Sequence, residues 1–312
     1  MAKKSQTIKE IIQIVVFLVV VGLLLVTFVI YPLGRTKEIM ARADVDEFNE
    51  DSLPPNHITL LEDTSLSVDT MRIDSDGLTT LAVAYVVRRV AEDSAMVPLR
   101  GTAILVHHEV NDREAMIPLA RRLLDSGLAV VLYDQRASGS SSGTYHSDGQ
   151  YEAGDLEEIV AYLALRERLP SPVMVVGRGI GGDAALLAAL DDSRISTVVA
   201  VGPYLTTDRW YSLKREASGM WWIPFPNSLM SFWFEIRSGY AMEERTPELF
   251  EPVACPTLII GTPGCSEDPT VQQFVELSSV DLLTTLEMDM EPEALNETIV
   301  DFLMLSHSAL TE

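Results

Sequence analysis

Val175–Leu190 reads VVGRGIGGDAALLAAL. A run of β-formers meets a glycine-rich turn, and an Ala/Leu-rich helix follows. Gly177, Gly179 and Gly182 spell G-x-G-x-x-G, the pattern that cradles a dinucleotide pyrophosphate at a helix N-terminus. That chemistry also needs an acidic residue about 20 positions on, at the end of the next strand, to hold a ribose hydroxyl. From Gly182 this points to Val201–Leu205, which contains no acid, and Asp191 and Asp192 precede that strand at its wrong end. The glycines also follow two earlier parallel strands instead of opening the domain. The sequence therefore implies no nucleotide cofactor.

Working outward, apolar runs long enough for buried strands fall at 101–107, 129–133, 173–176, 197–201, 257–261 and 282–288. Helical patterns stand between and after them at 115–126, 151–168, 184–190, 271–277 and 293–305. Strands without polar alternation, interleaved with helices, predict a parallel sheet covered on both faces. Asp76-Gly77 between Thr70–Ile73 and Thr80–Arg88 predicts an antiparallel hairpin ahead of it. The segment 204–245 breaks the alternation and carries all four tryptophans, Trp210, Trp221, Trp222 and Trp233. It reads as an inserted lid. Its aromatic side chains either pack the lid onto the sheet or form an apolar surface for a partner or for lipid.

Several motifs add to this in order. They are Asp76-Gly77-Leu78, LVHHE at 105–109, LYDQRASGSSSG at 132–143, AGDLEEIVAYL at 153–163 and LFEPVACPTLIIG at 249–261. Together they resemble the α/β-hydrolase superfamily over Thr70–Leu305. The resemblance is strongest to its lysophospholipase-like, serine-aminopeptidase-like and membrane-anchored Bem46-like branches. It implies an α/β-hydrolase fold, a mostly parallel sheet with helices on both faces and an inserted helical lid. Asp134, Arg136, Gly139 and Ser141 match the superfamily's Asp-x-Arg-Gly-x-Gly-x-Ser loop.

The resemblance also gives the opening stretch a second reading. Gly177-Arg178-Gly179-Ile180-Gly181 has the frame of the G-x-S-x-G nucleophile elbow, with Gly179 in the serine's place. Glycine cannot attack a carbonyl, and losing the nucleophile of a serine protease costs on the order of 10⁶ in rate. The base position, between the last strand and last helix, reads Asp289-Met290-Glu291-Pro292 and holds no histidine. The chain's five histidines are His57, His107, His108, His146 and His307, with His307 expected past the closing helix. Asp268, then Glu267, best fits the acid position, and with no histidine to orient it would be a vestigial loop carboxylate. Where the superfamily has glycine after the first histidine of its oxyanion segment, this chain has His108 and Glu109. A carboxylate there would oppose a developing oxyanion. His107, His108, Glu109, Arg178 and Ile180 are the residues expected on the oxyanion side of the pocket. Arg178 either pairs internally with Glu109 or Asp268 or binds an anionic ligand, and the internal pair is the expectation. Ser138, Ser140, Ser141 and Ser142 are ordinary turn residues. No catalytic residue is expected, nor any cofactor or metal, since no ligand spacing occurs. Cys255 and Cys265 flank a strand that would hold them beyond the roughly 7 Å Cα limit of a disulfide.

Composition adds the surroundings. The net charge is −23, which disfavours nucleic acid and adsorption to anionic lipid. Residues 1–43 nevertheless carry six basic against two acidic side chains. Ile11–Tyr31 contains no charge and is long enough to span a bilayer as a helix. The run exceeds the usual ~7–15 residues of a signal-peptide core, so a retained anchor is expected. The predicted organisation is a basic tail (1–10), a transmembrane anchor (11–31), a linker (32–66), core (67–203), lid (204–245), core (246–305) and a C-terminal tail (306–312). A short basic tail before a first span predicts a single-pass protein with its acidic body on the extracytoplasmic side. Together these features point to a membrane-anchored pseudo-hydrolase acting as a binding or scaffold module, or as an accessory subunit of an integral membrane complex. The alternative is an active hydrolase of esters or lipids that uses displaced residues such as Ser141 and His107.

Overall fold

The computed structural model describes residues 2–30, 34, 63–89, 99–217, 227–241, 243–250, 253–261, 265–277, 283–287 and 291–311. His57, Trp221 and Trp222 lie outside them, as does most of the segment 32–66. By compactness the chain divides into two units, Met1–Ala41 with Tyr211–Met242, and Arg42–Trp210 with Glu243–Glu312.

Eight strands form one sheet: β1 (Leu66–Ser75), β2 (Thr79–Arg88), β3 (Thr102–Val106), β4 (Ala129–Tyr133), β5 (Val173–Arg178), β6 (Ile195–Val201), β7 (Thr257–Gly261) and β8 (Leu283–Glu287). Their order is β1-β2-β4-β3-β5-β6-β7-β8. β2 pairs antiparallel with β1 and β4, and every other pairing is parallel. The helices are α1 (Ala2–Leu25), α2 (Ile117–Asp125), α3 (Gln150–Leu165), α4 (Ile180–Asp191), α5 (Thr207–Ala217), α6 (Asn227–Ser238), α7 (Pro269–Leu277) and α8 (Pro292–Thr311).

The continuous apolar strand runs are explained by burial on both faces. Ile104, Val106, Val131, Tyr133 and Val175 share one core layer with Leu156, Ile159, Val160 and Leu163 of α3, Ala184–Ala188 of α4 and Phe274 of α7. Alternate residues Ala103, Leu105, Val130, Leu132, Met174 and Val176 share the other with Leu119, Ala120, Leu123 and Leu124 of α2 and Leu295, Ile299 and Leu303 of α8. β4 follows β3 on one side and β5 lies on the other, so the order reverses at β3. Crevices form at such a reversal, beyond the carboxyl ends of the strands. The register Val106↔Gly177 therefore sets the loop after β3 against the turn after β5.

At three boundaries the difference from expectation has a clear physical cause. α4 begins at Ile180 rather than Ala184. The glycines that weigh against a helix by propensity fall in its first turn, where the amides of Gly182 and Asp183 both reach the Gly179 carbonyl. β5 extends to Arg178 because pairing with β6 continues to Arg178↔Val201. α8 runs to Thr311 and carries His307, since nothing in Ser306–Thr311 breaks a helix.

The loop after β4 is tied down from within. Arg136, fully buried, grips Asp155 of α3 through two bonds, Nε to Oδ2 at 2.8 Å and Nη2 to Oδ1 at 2.6 Å. Ser141 donates its hydroxyl to the Asp134 carbonyl at 2.5 Å and accepts the Ala82 amide at 2.8 Å. Asp134 accepts the Arg113 and Ser140 amides at 3.0 and 2.9 Å. Ala137, where the resemblance has glycine, stands at φ 56°.

In the smaller unit, α1 continues into a π-helical turn, Val26–Ile30. An 18-residue window within Lys9–Ile30 has a mean hydropathy of 3.0, and this is the one described helix long and apolar enough to cross a membrane, which fits a single-pass anchor or a signal sequence.

Breaking a buried ion pair leaves an uncompensated charge, so Arg136→Met should cost about 3–5 kcal/mol. Ala137→Gly should instead stabilise by about 1 kcal/mol, because a non-glycine residue in the left-handed region carries roughly 1–2 kcal/mol of strain. Denaturant titration of both variants against wild type measures the two effects.

Candidate functional site

At the end of β5 the chain turns into α4 through one residue. Gly179 stands at φ 55°, ψ −124°, a conformation strained for any residue with a Cβ. Its amide donates to the Val201 carbonyl at 3.0 Å. A Cβ at Gly177 would overlap the Gly181 carbonyl oxygen, and one at Gly181 would lie 2.6 Å from the His107 carbonyl oxygen. These glycines are required by close backbone approach, and the turn aims residue 179 at the crevice between β3 and β5.

The loop after β3 fills that crevice. A Cβ built on Gly179 would lie 2.5 Å from His108 Cδ2, 2.7 Å from His108 Nε2 and 2.9 Å from Glu109 Oε2. Glu109 is buried. Its Oε2 accepts the Ile180 amide at 3.3 Å and lies 3.0 Å from His108 Nδ1. Its Oε1 accepts the Tyr204 hydroxyl at 2.6 Å. Burial and then the Glu109 carboxylate push the Tyr204 phenol well above its usual range, so it stays a donor. The carboxylate thus sits on the first amide of α4, the amide that in a nucleophile elbow faces the oxyanion. An anion on that amide is favoured by the helix dipole.

The family model for serine aminopeptidase, S33, matches residues 98–234, which include this turn. The fold is similar to an esterase of Pyrococcus furiosus, with a TM-score of 0.57 and 19% identity over 77% of this chain and 91% of that one. It is also similar to an alpha/beta hydrolase of Penicillium sp. sh18, with a TM-score of 0.54 and 16% identity over 78% of this chain and 99% of that one. The chain has the α/β-hydrolase fold. In sequence it is 29% identical over 165 residues to YqkD of Bacillus subtilis (strain 168). That match spans 51% of this chain and about half, 53%, of the relative.

In this α/β-hydrolase fold the other expected residues are placed as follows. His107 is fully buried, with Nδ1 2.8 Å from the His108 carbonyl oxygen and Nε2 accepting the Gln135 amide at 2.9 Å. Burial lowers its pKa and keeps it neutral, and both ring nitrogens are already engaged. Asp268 caps α7 through the Thr270 amide at 2.8 Å and faces Arg209 Nη2 at 3.4 Å. Glu267 is exposed. The expected pairing of Arg178 with Glu109 or Asp268 does not form, because both carboxylates hold other partners. Arg178 Nη2 instead donates to Asn296 Oδ1 of α8 at 3.2 Å. Trp210, a candidate for the lid's partner surface, is fully buried. Trp233 is half-buried and donates to the Phe28 carbonyl at 3.3 Å within the smaller unit.

Behind the elbow, Asp183 of α4 accepts the amides of Tyr204 and Leu205 at 2.9 and 2.7 Å and faces Arg245 Nη1 at 2.9 Å. Asp148 accepts from Arg245 Nε at 3.0 Å and from the Thr207 hydroxyl at 2.6 Å. Burial works against the Arg245 charge, but Asp183 and Asp148 outweigh it and hold its pKa above the usual value. Farther along the β4 loop, Ser138 Oγ is 3.3 Å from His146 Nε2, and His146 Nδ1 is 3.7 Å from Glu152 Oε1, all three buried.

Tyr204, Asn296 and Arg209 escaped sequence reasoning. No local pattern marks them, since they reach partners 95, 118 and 59 residues away. Only the strand order, with β6 beside β5, places Tyr204 near the elbow.

Tyr204→Phe should destabilise by about 1–3 kcal/mol, since it strips a donor from a buried carboxylate. Gly179→Ser should also destabilise, by about 1–3 kcal/mol from the backbone conformation alone, before His108 and Glu109 move. Thermal unfolding in mild detergent measures both.

Proposed function

We propose that this chain is a membrane-anchored pseudo-hydrolase. Its α/β-hydrolase fold, with segment 204–245 as a lid, serves as a binding or scaffold module or as an accessory subunit of a membrane complex. The reading is carried by one observation: His108 and Glu109 stand where a nucleophile would project from residue 179, and Glu109 covers the Ile180 amide. Nucleophile position and oxyanion donor are thereby closed by the same loop. The sequence of the base position, 289–292, adds that no histidine stands there. His107 is held neutral by burial and Asp268 is engaged with Arg209. We further propose that α1 is retained as a single-pass anchor and that the acidic body lies on the extracytoplasmic side.

A second reading has a specific observation behind it. The Ser138–His146–Glu152 line has the residue types of a nucleophile, base and orienting acid. Its 3.7 Å His–Glu separation and the burial of Ser138 count against it. Ser141 and His107 are committed to backbone bonds and do not serve it.

The purified full chain should show no labelling by a fluorophosphonate probe and no turnover of p-nitrophenyl esters. Gly179→Ser alone should not restore hydrolysis, and neither should Gly179→Ser combined with His108→Gly and Glu109→Ala, because the base remains absent. Labelling that disappears in Ser138→Ala would overturn the pseudo-hydrolase reading in favour of the second. Copurification from native membranes in mild detergent should return a partner, and a lone monodisperse chain would count against the scaffold role.

A further inference from the structure

The smaller unit holds a contact that the pseudo-hydrolase reading does not use. Lys9–Ile30 contains 22 residues, about 33 Å as a helix, which matches a hydrocarbon core of about 30 Å. Phe28 therefore stands within about one turn of the end of the apolar run. The Trp233 indole N–H of α6 donates to the Phe28 carbonyl at 3.3 Å. Tryptophan, with an apolar body and one donor, is the side chain favoured at that depth.

From Trp233 an apolar face continues along α6. The Phe232 ring meets the Trp233 ring edge-on, with centroids 5.3 Å apart. Ile236 lies one turn from Phe232, on the same face of the helix. Both remain exposed, at 49% and 58%. An exposed apolar face bonded to the end of an apolar span faces lipid rather than water.

We propose that α6 lies in the bilayer interface beside the end of α1, with Phe232 and Ile236 in the boundary between headgroups and acyl chains. The occupant of this face is the lipid of the bilayer that α1 crosses. The inference rests on the proposed anchor and is independent of whether the elbow is catalytically dead.

The test uses the full chain in nanodiscs of phosphatidylcholine and phosphatidylglycerol, one chain per disc, with plain or acyl-brominated phosphatidylcholine. The emission of Trp233 is isolated as wild type minus Trp233→Phe. It should fall by more than half in brominated discs, and the fall should be lost in Phe232→Asp combined with Ile236→Asp. An unquenched difference spectrum, or quenching that survives the double substitution, would overturn the inference. Alkaline carbonate washing of native membranes separates the two levels. Release of the chain sinks the anchor and this inference together, whereas a retained chain with unquenched Trp233 sinks only this inference.

Discussion

Where β5 gives way to α4, the backbone comes so close to itself that Gly177 has no space for a Cβ against the Gly181 carbonyl. That close approach lets a strand become a helix through a single residue. It directs the N-terminus of α4 at the crevice where the strand order reverses. The rest of the larger unit is arranged around the turn. β6 takes the Gly179 amide, the loop after β3 supplies Glu109 to the Ile180 amide, and Asp183 ties α4 to the segment after β6. Turn geometry and chemistry are separable here. The glycines preserve the first, while residues 108, 109 and 179 decide the second.

Two buried arginines of the larger unit are paired with carboxylates. Arg136 with Asp155 fixes the loop after β4, and Arg245 with Asp148 and Asp183 fixes the residues behind the elbow. Burying such groups is costly unless each finds a partner, and breaking one pair leaves the other member stranded. The Asp-x-Arg loop is, in this chain, an internal brace. Asp134 and Ser141 bond the backbone, and Arg136 bonds buried Asp155 as well as Asp76.

The fold was legible because its strands are buried on both faces, which leaves uninterrupted apolar runs such as Ala129–Tyr133. The hairpin followed from Asp76-Gly77, and the elbow from glycine spacing. Helix ends were less legible, because the start of α4 is set by packing against neighbouring strands rather than by the propensity of Gly181 and Gly182. Of the elbow itself, the sequence displays Gly179 in the serine's place and no histidine at 289–292. The role of Glu109 was read as a repulsive charge, whereas in the fold it accepts an amide and a tyrosine hydroxyl. Such bonds depend on strand register and join residues scores of positions apart, so no window of sequence displays them. Arg178 shows the same limit, since its partner Asn296 sits on the last helix.

The Glu109 carboxylate on the first amide of α4 also bears on how this chain can change. The loop that satisfies that amide from within fills the space in front of residue 179. It also gives His108, Glu109 and Gly179 a shared interest in remaining as they are. A side chain at position 179 and the side chains at 108 and 109 compete for one space, so the three positions can change only together.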